Sequence, residues 1–440
     1  MKNQKTEHPL IYKKKIITSE CVEALIRHGH YWRDSQSQLY FGYNGQHYTE
    51  VPEVKFEKKL FALVGENFSK KSREEVLSVF RARISTSILT ETELPDGYIN
   101  VENGILDLST LVLQKHSPKF YFFNTIPIQY DPKATCDKWM NFLKDITLER
   151  TAIIDLLQEM FGYCLRPGNW LQAGFFLIGE GENGKSTLLE VLRAMLGKEN
   201  TSSLSLGDLN ERFRKVNLLN KYANICEESP CGRSIEAEVF KNLTAEGRVT
   251  VERKHKPAFE FNNKAKLIFA TNEVPIIKDH THAFYRRINV IPFDYTVPEE
   301  KKIYNLNKEL IKELPGILNW AIQGLKRIID DGRWTISDDI EKAKRDFIRE
   351  GDTVKIFIDD SCELGTDKSA LTSVLYHHYR DFCSAKGYKP VAENTFGSRL
   401  KTHVKGVERK RSSINSRPWI YVGINVTPEA IKDLGATGSY

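Results

Sequence analysis

The stretch from Ala173 to Leu196, AGFFLIGEGENGKSTLLEVLRAML, limits what this chain can fold into more than any other. An apolar run, a glycine-rich turn and a helix-spaced run follow one another, which predicts strand, loop and helix. Phe175 to Ile178 make the apolar run, and Leu188, Val191, Leu192 and Met195 recur at helical spacing after the turn. Between them Gly179, Gly184, Lys185 and Ser186 meet the G-x-x-x-x-G-K-[ST] spacing of a phosphate-binding loop. The glycines let backbone N–H groups close around phosphate oxygens, and Lys185 is long enough to reach the β- and γ-phosphates. Ser186 can place its hydroxyl on Mg²⁺, and the helix opening near Thr187 aims its positive dipole end at the anion. Gly179, Glu180, Gly181, Glu182, Asn183, Gly184, Lys185, Ser186 and Thr187 are therefore the predicted nucleotide site. The alternative is a bare Gly-rich turn, and the strand before it and helix after it weigh against that.

A chain of 440 residues has room for two to four domains at roughly 150 residues each. No apolar run approaches the roughly 20 residues that cross a bilayer, and no signal-peptide core follows the Lys-rich start, so a cytoplasmic protein without membrane contact is expected. The seven cysteines are scattered and lack a C-x-x-C pair, which predicts neither a disulfide framework nor a zinc site. A net charge of +6 permits a polyanionic partner.

Along the chain, aromatics concentrate between His30 and Tyr48, where Asn44-Gly45 marks a hairpin. Aromatic and basic residues together can stack single-stranded bases, but a small sheet core accounts for them as well and is the reading adopted. Gly97 to Tyr130 predicts a β-meander turning at Asn103-Gly104. Trp139, Phe142, Leu143 and Ile146, then Ile153, Leu156, Leu157, Met160 and Cys164, recur at helical spacing until Arg166-Pro167-Gly168 stops the second helix. These stripes are read as core.

Beyond the loop helix, Tyr222 to Cys226 is a short apolar strand ending in Glu227-Glu228. Acids at such a strand end can hold Mg²⁺ and orient an attacking water. Arg248 to Asn262 alternates on both sides of a basic centre, which predicts a hairpin with Arg253, Lys254, His255 and Lys256 at its tip. The strand Ala265 to Thr271 ends in Asn272, placed to sense a γ-phosphate or position water, and the pair Arg286-Arg287 opens the apolar stretch Ile288 to Phe293.

From about Tyr304 a helical stretch puts Leu310, Leu314, Leu318, Ala321, Leu325 and Ile329 on one stripe and ends at Asp331-Gly332. Ser337 opens another helix that ends near Gly351. Thr353 to Ile424 read as a winged helix: one helix through Tyr376 to Phe382, a second from about Asn394 to Val404, and a hairpin in VERKRSSINSRPWIYVGI. With Phe396, Leu400 and Val404 inward, Arg399, Lys401 and Lys405 point outward, and the wing adds Arg409, Lys410, Arg411 and Arg417. Six Lys or Arg stand against one Glu from Lys401 to Arg417, the electrostatic footprint of phosphate contact unless the charges are simply solvated.

The ordered set GEGENGKST, ICEE, the ERKHK hairpin, FATN, and RRI before PF resembles that of superfamily 3 helicases. It is similar in particular to the ATPase part of phage and plasmid primase-helicases of the poxvirus and satellite-phage type. The similarity spans roughly Gly97 to Phe293. It implies an α/β fold: a P-loop AAA+-like ATPase core with an α+β N-terminal domain, joined here to a C-terminal winged-helix domain. By position it implies Lys185 and Ser186 for phosphate and Mg²⁺, Glu227 for the metal, Glu228 for water activation, and Asn272 as the polar sensor. Arg287 is implied as the finger reaching a neighbouring subunit's nucleotide, with Arg286 a second candidate. The RKHK tip resembles that of the papillomavirus replicative helicase, whose hairpin Lys and His track DNA, a role that Lys254 and His255 inherit.

On this resemblance the expected cofactors are ATP and Mg²⁺, and the expected partners are single-stranded and forked DNA, further copies in a hexameric ring, and a primase or polymerase. Movement is expected to be 3′ to 5′. Two readings from other classes stay open: an origin-binding initiator ATPase that assembles on DNA without unwinding, and a non-enzymatic DNA-binding regulator. Many relatives carry a primase domain before this region. Here about 100 residues precede it without a defensible acidic constellation, so a helicase without priming chemistry is expected, encoded alone or cut from a longer protein. The expected division is 1–96 N-terminal α+β, 97–168 meander and helical packing domain, 169–300 ATPase core, 301–351 helical linker, 352–425 winged helix and 426–440 loose tail.

Overall fold

The computed structural model describes residues 10–12, 15–27, 29–65, 69–87, 89, 97–227, 236–275, 282–388, 390–413, 417–428 and 430. A parallel sheet organises the middle of the chain, built from β1 (Gly174–Ile178), β2 (Thr201–Ser202), β3 (Ala223–Cys226), β4 (Lys266–Thr271) and β5 (Ile288–Pro292). Their spatial order is β2-β3-β4-β1-β5, every neighbouring pair parallel. Strands covered on both faces read as unbroken apolar runs, and Phe175–Leu177 and Leu267–Ala270 are buried throughout. The register sets Ile178 beside Thr271 and Pro292, so the segments following β1, β4 and β5 leave at one edge. In open parallel sheets that carboxyl edge is where ligands gather.

The helices Asp137–Thr147 and Thr151–Leu165 do not form a unit apart from the sheet. One apolar cluster runs from Ile99 and Trp139 through Phe175 to Leu325 and Ile328, crossing the boundary expected near residue 168. Helix Thr151–Leu165 packs along Leu314–Asp331, and the seam is locked by Glu159, which is fully buried and accepts from Arg327 Nε at 2.7 Å and Thr335 N at 2.8 Å. The stretch expected as one helix from Tyr304 is two, Leu306–Ile311 and Leu314–Asp331, the second opening on a proline and closing at Gly332 with φ 64°. Of the expected stripe, Leu310, Leu318, Ala321 and Leu325 are buried, whereas Ile329, in the last turn, is 41% exposed and Ile328 beside it is buried instead.

The N-terminal region is a sheet of Tyr31–Asp34, Tyr40–Tyr43, Tyr48–Val51 and Ser85–Thr86, covered by helices Thr18–Arg27, Val54–Val64 and Lys70–Ile84. Phe41 and Tyr48 are buried and join a cluster that includes Phe123 and Phe176, so these aromatics are core. The C-terminal domain sets helices Thr353–Ser361, Thr372–Ala385 and Glu393–His403 against an antiparallel sheet of Cys362–Leu371, Trp419–Val426 and Glu408–Arg411, with Trp419–Val426 in the middle. Sequence reasoning missed the first of these helices and the strand Cys362–Leu371, whose polar residues, CELGTDKSAL, show no apolar alternation. Among the described residues no helix is long and apolar enough to cross a membrane.

Candidate nucleotide site and basic surfaces

The glycine-rich loop joins β1 to the helix Lys185–Leu196, which begins at the lysine itself. Close approach dictates its glycines. Gly184 sits at φ 85°, where a Cβ would meet Ile146 Cγ2 at 2.6 Å, and a Cβ on Gly179 would meet Phe293 O at 2.2 Å. Asn183, 3% exposed, ties the turn by donating from Nδ2 to Glu180 O at 2.5 Å and to Phe293 O at 3.3 Å. Lys185 is buried, and its Nζ donates to Gly179 O at 2.6 Å, Glu180 O at 2.9 Å and Asn183 Oδ1 at 3.0 Å. Burial pushes its ammonium down to about 8. A desolvated cation at a helix N-terminus gains from any anion placed against it. Glu180, Gly181 and Ser186 face solvent, Thr187 is half-buried, and Glu182, at φ 60°, accepts from Lys302 Nζ at 2.8 Å.

Glu227 follows β3 and Asn272 follows β4, so both stand at the edge from which the loop emerges, and Asn272 is exposed. Glu228 lies outside the described residues. The Glu227 carboxylate pairs at 2.7 Å with Arg193 of the loop helix, whose second terminal nitrogen donates to Ile225 O at 3.2 Å. Sequence reasoning missed Arg193, although its place two helical turns after Lys185, on the face toward β3, was the signal. Among the described residues no group of three or more His, Cys, Asp or Glu could hold a metal ion. The donors present, Ser186 Oγ and Glu227, suit Mg²⁺, which typically takes one or two carboxylates with phosphate oxygens and water.

Beside the loop opens a cavity of about 660 Å³, lined by Gly184 and Thr187 on one side and by Phe142, Ile146, Val297, Ile303 and Leu306 on the other. Tyr295, Asn141 and Asp145 add polar groups to this apolar wall. The helix Asp137–Thr147, read only as packing, thus supplies part of the site wall.

The arginine pair lies elsewhere. Gly174 N, at the start of β1, donates to Arg287 O at 2.8 Å, so the pair stands at the amino edge of the sheet. At about 3.3 Å per strand residue, that is roughly 13 Å from the end of β1. Arg287 is 9% exposed; its Nη1 donates to Ala283 O at 2.5 Å and its Nη2 to Gln172 Oε1 at 2.7 Å. The expected finger is therefore turned into the chain, and Arg286 is the exposed one. Both arginines lie in the turn between the helix His282–Tyr285 and β5, which sends one side chain inward and leaves the other outside.

The basic hairpin forms as expected, Arg248–Val251 pairing antiparallel with Phe259–Asn262. Lys254, His255 and Lys256 are exposed at its tip, with His255 at φ 64°. Arg253 is not free: both terminal nitrogens donate to the Glu50 carboxylate at 2.8 Å, tying the hairpin to the N-terminal sheet. Arg399 departs from expectation in the same way. Its Nη1 lies 3.0 Å from Asp352 Oδ1, and His403 Nε2 lies 2.8 Å from Asp352 Oδ2. Asp352, 3% exposed, caps the unanticipated helix Thr353–Ser361 by accepting from Val354 N at 3.0 Å. Arg399 is thus a structural partner of a buried acid. Lys401, Lys405, Arg409, Lys410 and Arg411 are exposed.

Comparison with known proteins follows the same order along the chain. Residues 10–148 match the family described as D5 N terminal like, 177–287 a family of unknown function (DUF5906), and 349–427 the family described as Poxvirus D5 protein-like. The two D5-type matches thus lie at either end of the chain, on both sides of the parallel sheet. Putative helicase 121R of Invertebrate iridescent virus 3 is 25% identical over 305 residues, covering 60% of this chain and 32% of that protein. Primase D5 of Fowlpox virus (strain NVSL) is 26% identical over 256 residues, covering 53% of this chain and 32% of that protein. The chain spans about a third of the length of these curated relatives. In fold it resembles the apo C-terminal region of NrS-1, with a TM-score of 0.51 at 12% identity over 94% of this chain and 100% of that one.

Proposed function

We propose that the chain is an ATP-hydrolysing motor that moves along single-stranded DNA as a ring, with an AAA+-like core and a C-terminal winged helix. One observation carries this reading. The same sheet presents the glycine loop with buried Lys185 at its carboxyl edge and exposed Arg286 at its amino edge. An arginine whose backbone enters the sheet a strand's length, roughly 13 Å, from its own loop serves a nucleotide when a second copy brings it there. On this reading Lys185 and the loop N–H groups hold the phosphates, Ser186 and Glu227 hold Mg²⁺, and Asn272 contacts the terminal phosphate or its water. Glu228 orients the water, and the slot beside Phe142 and Val297 takes the base. Lys254 and His255 grip the strand. Bound Mg²⁺ supplies charge neutralisation between the terminal phosphates.

ATP-dependent strand displacement on a forked duplex with a 3′ tail tests the motor, and hydrolysis without displacement would favour the initiator. Mixing tests the shared site. Arg286→Ala subunits and Lys185→Ala subunits, each inactive alone, should regain ATPase activity together, because some interfaces then combine an intact arginine with an intact loop. A trans arginine can be worth about 10³ to 10⁵ in rate. No recovery in rings shown to be mixed, with recovery for Arg287→Ala instead, returns the role to Arg287.

A further inference from the structure

The wing carries an aromatic group that the proposed motor does not use. Trp419 opens the strand Trp419–Val426 and is 40% exposed. Arg411 pairs directly across from it, and Arg409 lies two residues along on the same face of the neighbouring strand. The Arg411 guanidinium lies 4.6 Å and the Arg409 guanidinium 4.8 Å from the centre of the Trp419 ring. Arg411 is further fixed by donating from Nη1 to Arg417 O at 2.8 Å. Two cations are thus held on one half-open indole, within the range where a ring face attracts them.

Phosphate contact alone does not call for this arrangement, since lysines on the same ribbon would supply the charge without an exposed indole. A stacking platform does, because an unpaired base offers a π-face to the indole while its flanking phosphates meet the guanidiniums. We propose that Trp419, Arg409 and Arg411 form a binding site for an unpaired nucleobase of single-stranded DNA, separate from the hairpin tip. The site rests on the reading of the chain as a DNA-binding protein and does not depend on ATP hydrolysis. Paired bases keep their faces stacked on one another, so duplex is not its ligand.

The test uses the full chain and a short single-stranded oligodeoxythymidylate, in parallel with the same strand made abasic at internal positions. Wild type should bind the abasic strand more weakly. Trp419→Ala should bind the intact strand about 5- to 100-fold more weakly and no longer distinguish the two. Trp419→Phe should keep much of the discrimination, whereas Trp419→Leu, which keeps the apolar bulk without a ring, should not. A 5-iododeoxyuridine strand should photocross-link to the peptide containing Trp419. The proposal is overturned if Trp419→Ala and Trp419→Leu bind both strands as wild type does and no cross-link maps to this peptide. It is equally overturned if polyglutamate, rather than DNA, competes for this surface and perturbs Trp419 fluorescence, which would make the wing a protein-docking face. DNA-stimulated ATP turnover is read alongside: its absence in wild type breaks the motor reading and leaves the base site standing.

Discussion

The glycine loop and the C-terminal hairpin read as a wing each hold cations, but by opposite means. In the loop a single ammonium is buried and bonded to three loop oxygens, Gly179 O, Glu180 O and Asn183 Oδ1. In the wing Arg409, Lys410 and Arg411 are exposed, and two of them lean on Trp419. A buried charge acts strongly and alone, in a low-dielectric setting where its loss is not replaced. Exposed charges act weakly and as a set, are screened by salt, and substitute for one another. The two regions should therefore fail differently.

The largest effect belongs to Lys185. On the proposed function, replacing it with Ala removes a preorganised charge from the terminal phosphates, and should lower ATP turnover about 10²- to 10³-fold or more while the fold survives. Steady-state hydrolysis with circular dichroism of the same sample decides; turnover at the wild-type rate would end the site assignment.

Arg399 breaks the rule that C-terminal cations act weakly, because it is half-buried and pairs with the buried Asp352. Arg399→Ala leaves a carboxylate that is 3% exposed without its guanidinium. Removing one partner of a buried pair costs about 3 to 5 kcal/mol, and His403 at 2.8 Å keeps the loss toward the lower end. Amide exchange in Thr353–Ser361 should accelerate accordingly, whereas Lys410→Ala should leave it unchanged. Wild-type exchange with weakened DNA binding would make Arg399 a surface contact after all.

The pH dependence of nucleotide binding gives a smaller signature. Burial holds the free Lys185 ammonium at about 8. A bound phosphate favours the charged form, so the pKa in the complex lies higher. Affinity is then fully present below pH 8 and falls as pH rises, by up to about tenfold per unit until the bound-state pKa is reached. Titration with a non-hydrolysable ATP analogue from pH 7.5 to 9.5 measures this, and a flat profile contradicts a Lys185–phosphate contact.

How legible each region was follows from what fixes it. The loop was readable because local backbone geometry allows so few residues there: Gly179 and Gly184 admit no side chain, and the strand and helix flank them in sequence. The parallel strands were readable as apolar runs, and the hairpin Arg248–Asn262 as an alternation. What a cation meets across the fold was not. Arg253 meets Glu50, Arg287 meets Gln172 and Arg399 meets Asp352, partners 203, 115 and 47 residues away. Periodicity tells which face a side chain takes and nothing about which distant partner waits there. Arg193 with Glu227 and the slot wall from Phe142 and Ile146 were hidden for the same reason.

The smallest expected effect sharpens the comparison from the wing's side. Lys410 and Arg411 are exposed, and a surface position away from special features changes stability by within about 0.5 kcal/mol. Unfolding of the Lys410→Ala, Arg411→Ala double variant should therefore match wild type closely, with Arg411 contributing the larger share through its packing on Trp419. Duplex and single-strand affinity should fall modestly, and the dependence of log affinity on log salt should flatten by about 0.7 to 0.9 for each phosphate no longer neutralised. Basal ATP turnover should not change, since neither residue lines the cavity beside the loop. The hairpin supplies the control: Lys254→Ala with His255→Ala should leave nucleotide binding intact yet abolish DNA-stimulated turnover. A wing variant with wild-type salt dependence would reduce Lys410 and Arg411 to solvated charge. A wing variant without basal turnover would mean that the two regions are coupled rather than contrasted.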